Sequence, residues 1–281
     1  MTLTGEPTVA DRGGLVFLDD FSEGFRHDGP DARWRVRPSG ALPAGDGIVR
    51  ASSEGVVIEP PGIDPVTGEP AFARPATDGP TEHIRWAAFA NHTSTAGVLG
   101  FDARPGEVLS VSMEMSAQFF GLDKHNLGDA VVDPDSDLRL GMAGMISVDM
   151  ESGLVFDFVL TQRRVYALYE RLPRPDKTHA VFSYAVPVAV REPEQFHQFA
   201  VHLDTAAGVV HWRLDGAEVL TVDRIGMRSL DSKYLKKDQG GPEEEILPRQ
   251  LSLGFGLFTD GLFGQGARLR ARQASVTAAP S

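Results

Sequence analysis

Residues 107–121 read EVLSVSMEMSAQFFG, with Leu109, Val111, Met113, Met115 and Ala117 on one parity and Ser110, Ser112, Glu114, Ser116 and Gln118 on the other. Alternation with period two over this length is the pattern of a β-strand with one buried and one polar face. Strand-like runs follow at 137–151 (DLRLGMAGMISVDME), 153–172 (GLVFDFVLTQRRVYALYERL) and 179–190 (HAVFSYAVPVAV). Upstream, 15–21 (LVFLDDF) and 83–90 (HIRWAAFA) read as strands, and 47–61 as two strands about a Ser-Glu-Gly turn. Downstream, 195–223 reads as three antiparallel strands with hairpin signals DTAAG and LDGAE, and 250–259 and 268–278 close the succession. Residues 60–81, rich in proline and glycine, are expected to form a surface loop. No sustained helical period, repeat or composition shift is present, so the expectation is all-β: a tail at 1–14 and one β-sandwich domain over 15–281.

Composition narrows the function classes. A formal charge of −12, from 39 acidic and 27 basic residues, with no basic stripe, argues against nucleic acid as a partner. The absence of cysteine rules out disulfides and thiolate metal sites. The start, MTLTGEPTVADRGG, has no apolar run of a secretory signal, and no stretch approaches the ~18 apolar residues of a membrane helix. A cytoplasmic location with no membrane partner is therefore expected, and self-association is compatible with the sequence.

Three stretches carry a resemblance. FLDDFSEGF (17–25) with Trp34 and DGIVRASSEGVVI (46–58), then FAVHLDTAAGVVHWRLDGAEVLTV (199–222), then QLSLGFGLFT (250–259), together resemble the concanavalin A-like lectin/glucanase superfamily. The resemblance implies a jelly-roll β-sandwich of two antiparallel sheets with a concave ligand face. The laminarinase-type glycosidases of that superfamily carry Glu-x-Asp-x-Glu on a concave strand. Here the corresponding strand reads Ser112-Met113-Glu114-Met115-Ser116, and Asp149 and Glu151 supply only Asp-x-Glu elsewhere. Retaining hydrolysis needs two carboxylates about 5 Å apart, so the intact motif is absent.

Candidate site residues follow from chemistry set against pattern. Glu114 stands in a hydroxyl row with Ser112, Ser116 and Gln118, which can donate and accept hydrogen bonds. Asp157 interrupts the apolar VFDFVL, where burial should raise its pKa unless a cation such as Arg139, Arg163 or Arg164 meets it. In VYALYER either Tyr166 with Glu170 or Tyr169 with Arg171 faces the cleft; an aromatic beside a charge suits stacking on a sugar or a planar ligand. His92 in FANHTST can act as acid or base near neutral pH. Glu114, Asp157, Tyr166, Glu170 and His92 are the catalytic candidates. Ser112, Ser116, Gln118, Arg139, Asp149, Tyr169, Arg171 and Trp86 are the substrate-binding ones. Asp133, Asp135 and Asp137 make a weak calcium pattern, broken by Pro134 and lacking a glycine turn; no metal or other cofactor is expected. Residues 227–248, charged and broken by Gly-Gly-Pro, suggest a mobile flap beside the groove.

Two functions fit. The first is an intracellular biosynthetic enzyme without a redox cofactor: a cyclase, isomerase or lyase holding a small molecule in the groove and using Glu114 and Asp157 together on one surface. The second is a carbohydrate-binding protein, glycoside hydrolase or polysaccharide lyase.

Overall fold

The computed structural model describes residues 14–39, 42–73, 83–175 and 178–281. Two large antiparallel sheets dominate it. The eight-stranded sheet runs Ala217–Val222, Val209–Leu214, His197–Asp204, Glu107–Phe120, Gly266–Pro280, Gly55–Glu59, Ile48–Ser52, with Gly14–Asp19 also paired to Gly266–Pro280. The nine-stranded sheet runs Leu235–Asp238, Phe182–Val190, Arg164–Arg171, Leu154–Leu160, Met142–Ile146, Gly254–Phe258, Ile84–Ala90, Trp34–Val36, with Val148–Asp149 beside Leu154–Leu160. Among the described residues helix is confined to 3-10 turns of three residues, and no helix is long and apolar enough to cross a membrane.

The expected tail at 1–14 lies outside the described residues except for Gly14, the first residue of a strand. The run 153–172 is a hairpin rather than one strand, turning at Thr161–Arg163 with Leu160 opposite Val165. In 137–151 the strand starts only at Met142. Of the loop expected at 60–81, Gly62–Ile63 and Pro70–Ala71 form a two-residue ladder, and 74–81 falls outside the described residues.

Period two explains the layering. On Glu107–Phe120 the apolar parity is buried, Val111, Met113 and Met115 fully so, and it faces Phe156, Phe158 and Leu160 of the opposite sheet in one core. Burying a side chain of this size contributes about 1.5–3 kcal/mol, and in a sandwich both inner faces must be apolar to interdigitate. Trp34, Trp86 and Phe255 fill one end, with ring centroids 5.0 and 5.3 Å apart from Phe255. Phe156, Tyr169 and Trp212 fill the other. Arg191, fully buried, ties the sheets together by donating to the carbonyls of Thr161 (2.6 Å), Gln162 (3.1 Å) and Ala117 (2.5 Å).

Residues 227–248 do not form the expected flap. Leu235–Asp238 is the edge strand of the nine-stranded sheet, with Ser183 opposite Lys237. Val181 and Ala180 donate to Gly240 and Pro242. The Tyr169 hydroxyl accepts from the Gly226 N–H (2.7 Å) and donates to the Met227 carbonyl (3.0 Å). A segment tied along a strand edge has its backbone groups satisfied in place.

Candidate functional site

The outward face of the nine-stranded sheet is not solvated in the way its parity partner on the other sheet is. Met142 and Ile146, Val155 and Val159, Leu168, Ala185 and Phe258 line a groove of about 950 Å³. Several of them form a second apolar cluster, separate from the core, against which Tyr166 packs. Gly144 and Gly256 occupy central positions on this face, where an added Cβ would press on the Phe158 carbonyl (2.8 Å) and the Trp86 carbonyl (2.6 Å). Their lack of a side chain keeps the floor low.

Two acids interrupt the floor. Asp157 sits opposite Leu168 and Glu170 opposite Val155 on adjacent strands. They are diagonal neighbours on one face, which places their Cα atoms about 7–8 Å apart. Asp157 is buried, and one oxygen accepts the Ser147 N–H at 2.7 Å. Burial pushes its carboxyl well above the usual range; the Ser147 contact opposes this, and the charge of Glu170 adds to it. The Trp212 indole, from the opposite sheet, holds the Asp157 carbonyl at 3.1 Å. Burial also raises Glu170, but there the Ser183 hydroxyl donates to the carboxylate and the charges of His83 and Lys237 favour its ionised form. Asp157 is thus the better proton holder and Glu170 the better anion.

Basic side chains edge the groove. His83 pairs with Asp260 at 2.6 Å and lies 5.5 Å from the Phe258 ring. Lys236 and Lys237 border it at one end and Arg35 at the other. None of those last three has a carboxylate partner among the described residues.

The expected residues divide. Asp157 and Glu170 meet on the groove floor, and the open parity of 163–171 resolves with Tyr166 and Glu170 outward. Tyr166 donates to the Ser136 carbonyl at 2.9 Å. Tyr169 faces the core instead, where burial raises its hydroxyl above its ordinary value. Glu114 does not share a surface with Asp157. Each acid does point away from the shared core, but the strands belong to opposite sheets. When two inner faces meet, the two outer faces point in opposite directions, so the inference of a common surface inverts. Glu114 pairs with Arg272 at 3.3 Å and Ser112 with Ser275 at 2.8 Å on the far face. Gln118 accepts from Arg268 at 3.2 Å, and Ser116 is buried. None of these four lines the groove.

Trp86 is core rather than cleft. His92 is stacked on Phe101 at 4.3 Å with Nδ1 at the Gly100 carbonyl, 2.8 Å away. Arg139 does not meet Asp157 but grips Asp137, at 2.5 Å, and the Ala130 carbonyl, at 2.7 Å. Asp149 and Arg171 line a smaller cavity next to the groove, and Arg171 borders both. Among the described residues no group of His, Asp and Glu is arranged to hold a metal ion; Asp133 and Asp135 sit on a 3-10 turn, where Asp133 caps the Asp135 N–H. Sequence reasoning passed over His83 and Ser183, whereas Lys237 lies in the charged run expected beside the groove. Ser183 carried a signal, as a small hydroxyl in the otherwise apolar and aromatic run VFSYAV; His83 reaches the groove through tertiary contacts alone.

The strand order and the groove define a β-sandwich of the jelly-roll kind, two large antiparallel sheets about one core. The chain belongs to the family of unknown function DUF6081, whose family model matches residues 18–280. It is 29% identical to the uncharacterized protein L829 of Acanthamoeba polyphaga mimivirus over 44% of this chain, and spans only 42% of that relative. The catalytic domain of an endo-1,3-beta-glucanase (laminarinase) from Thermotoga petrophila RKU-1 is similar in structure, with TM-score 0.50 and 12% identity over 94% of this chain and 97% of that one. Alginate lyase A1-II', a member of polysaccharide lyase family-7, is similar with TM-score 0.50 and 8% identity over 89% of this chain and 96% of that one. At these identities the likeness is one of fold. The expectation of an intracellular small-molecule cyclase, isomerase or lyase is corrected by it: the two similar solved proteins are named an endo-1,3-beta-glucanase and an alginate lyase.

Proposed function

We propose that the groove of the nine-stranded sheet binds a glycan and cleaves its glycosidic bond, with Asp157 as the acid and Glu170 as the base. The observation that carries this reading is the pair of buried acids in unlike surroundings on the floor of one groove. Acid–base work needs two titrating groups whose environments separate their proton affinities. Asp157, with a single N–H contact, keeps its proton and can pass it to the leaving oxygen. Glu170, supported by Ser183, His83 and Lys237, is the carboxylate that activates water or takes a proton from the sugar. The apolar floor and the Phe258 ring suit the C–H faces of sugar rings, and the groove crosses strands about 4.8 Å apart, long enough for several sugar units. Two proteins of the same fold are named for action on 1,3-β-glucan and alginate, which supports a glycan as the ligand class.

The test is depolymerisation of laminarin and alginate, followed by reducing-end release and product mass, with binding measured in parallel. Cleavage of one of them that falls about 10²–10⁴-fold in both Asp157→Asn and Glu170→Gln supports the reading. Neither binding nor cleavage of any glycan tried, or full activity in both variants, sinks it.

A further inference from the structure

The smaller cavity beside the groove, about 210 Å³, is built differently. It is lined by Arg171, Arg174, His179, Arg249, Asp149 and Glu244, among others, and Arg171 is shared with the groove. Most of its charges are engaged. Asp149 takes the Ser152 hydroxyl, the Glu151 N–H (3.0 Å) and the Gln250 amide (2.6 Å). Glu151 is gripped by Arg249, at 2.7 Å and 2.5 Å. Arg171 is the exception. Its side chain is only 2% exposed, yet its one carboxylate contact among the described residues is a long 3.4 Å approach to Glu244, a side chain 67% exposed. Its Nη1 reaches the Glu244 carbonyl at the same 3.4 Å, and Nε has no partner among the described residues. A buried guanidinium compensated this loosely is costly unless an anion completes its fork.

His179 stands in the same cavity, also buried. Its Nε2 lies 3.0 Å from the Leu172 carbonyl, and Nδ1 has no partner among the described residues. A carbonyl only accepts, so Nε2 carries the hydrogen, and in that tautomer Nδ1 is an unpartnered acceptor buried in the cavity wall. One loosely held cation and one idle acceptor define the complementary ligand: a carboxylate next to a hydroxyl.

We propose that this cavity is a binding site for a sugar acid, with the carboxylate on Arg171 in place of Glu244 and a ring hydroxyl donating to His179 Nδ1. The volume is below the roughly 300–1,000 Å³ of pockets that enclose a drug-sized ligand, so it takes one acidic sugar unit, either free or as part of a chain lying in the groove. Glu244 occupies the fork in the meantime and is the group the ligand displaces. The inference rests on this cavity and not on the acid pair of the groove.

The experiment is titration calorimetry with sodium D-glucuronate, its neutral methyl ester and a glucuronate trimer, in the Asp157→Asn background where groove chemistry is removed. Glucuronate binds and the ester binds about tenfold more weakly, since a hydrogen-bonded charge is lost. Glu244→Gln, at an exposed position, tightens glucuronate about fivefold by removing the competing carboxylate, and Arg171→Lys weakens it about tenfold by losing the fork. The trimer binding more tightly than the monomer assigns the acid to a chain; equal affinity assigns it to the free sugar acid. No binding of glucuronate, equal binding of the ester, or a Glu244→Gln variant that binds no better overturns the proposal. The Glu244 arm stands even if Arg171→Lys fails to fold.

Discussion

The two outer faces of the sandwich derive from the same alternation and carry opposite chemistry. On the eight-stranded sheet the charges are matched across strands. Glu59 takes Arg268 and Arg50, both at 2.6 Å, Glu114 takes Arg272, and Glu194, in the turn before His197–Asp204, takes Arg270 at 3.0 Å. Burial works against Glu59, but the two arginines hold its carboxyl below the ordinary value. On the nine-stranded sheet the same outward positions are apolar, and the two acids among them have no arginine partner among the described residues and are pushed up by burial. A matched face is a solvated wall, whereas an apolar face with unmatched acids carries a cost that a ligand can relieve.

The largest effect that tests this contrast is catalytic. Glu114→Gln should leave glycan turnover unchanged, whereas Asp157→Asn and Glu170→Gln each lower it by about 10²–10⁴; a Glu114→Gln variant that loses turnover in a steady-state assay would reverse the assignment of the faces. Next is the pH dependence of stability. Folding raises the Asp157 pKa, so the folded chain binds the proton more tightly than the unfolded one. That stability is fully present below the unfolded value, about 3.9, and is lost as pH rises through the higher folded value. Urea midpoints measured across this window should fall more steeply with rising pH in the wild type than in Asp157→Asn, where the slope is reduced. Parallel slopes would mean that Asp157 is not held protonated.

A smaller effect concerns what supports the groove from beneath. Tyr169→Phe removes the hydroxyl that satisfies the Gly226 N–H and the Met227 carbonyl and should cost about 1–3 kcal/mol in chemical denaturation. A change near zero would mean that water replaces it. The smallest effect is expected on the matched face. The Glu114–Arg272 pair is one-third to one-half exposed, and a double-mutant cycle on it should return about 0–1 kcal/mol, declining with salt. A value above this range would show that the matched wall is more than a solvated surface.

The alternation in 107–120, the hairpin signals of 199–222 and the apolar run at 154–160 were enough to establish an all-β sandwich, because a strand's buried parity is written into consecutive residues. Asp157 was also legible, since an acid inside an apolar strand has to be explained wherever it lies. The partner of Asp157 was not. Parity tells which side of its own sheet a residue faces, but not which of two sheets owns the strand, and Glu114 was paired with Asp157 on that missing fact. The acid that does accompany it, Glu170, is set by the Leu154–Leu160 to Arg164–Arg171 register. Likewise the charged run 227–248 looked like a flap because its strand, Leu235–Asp238, is four residues long and mostly exposed, so no alternation marks it. Sequence alone thus determined the layered fold and the presence of a buried acid. Only the tertiary structure decided which face is the groove, because strand order and register arise from contacts between residues far apart in the chain, and no local pattern encodes them.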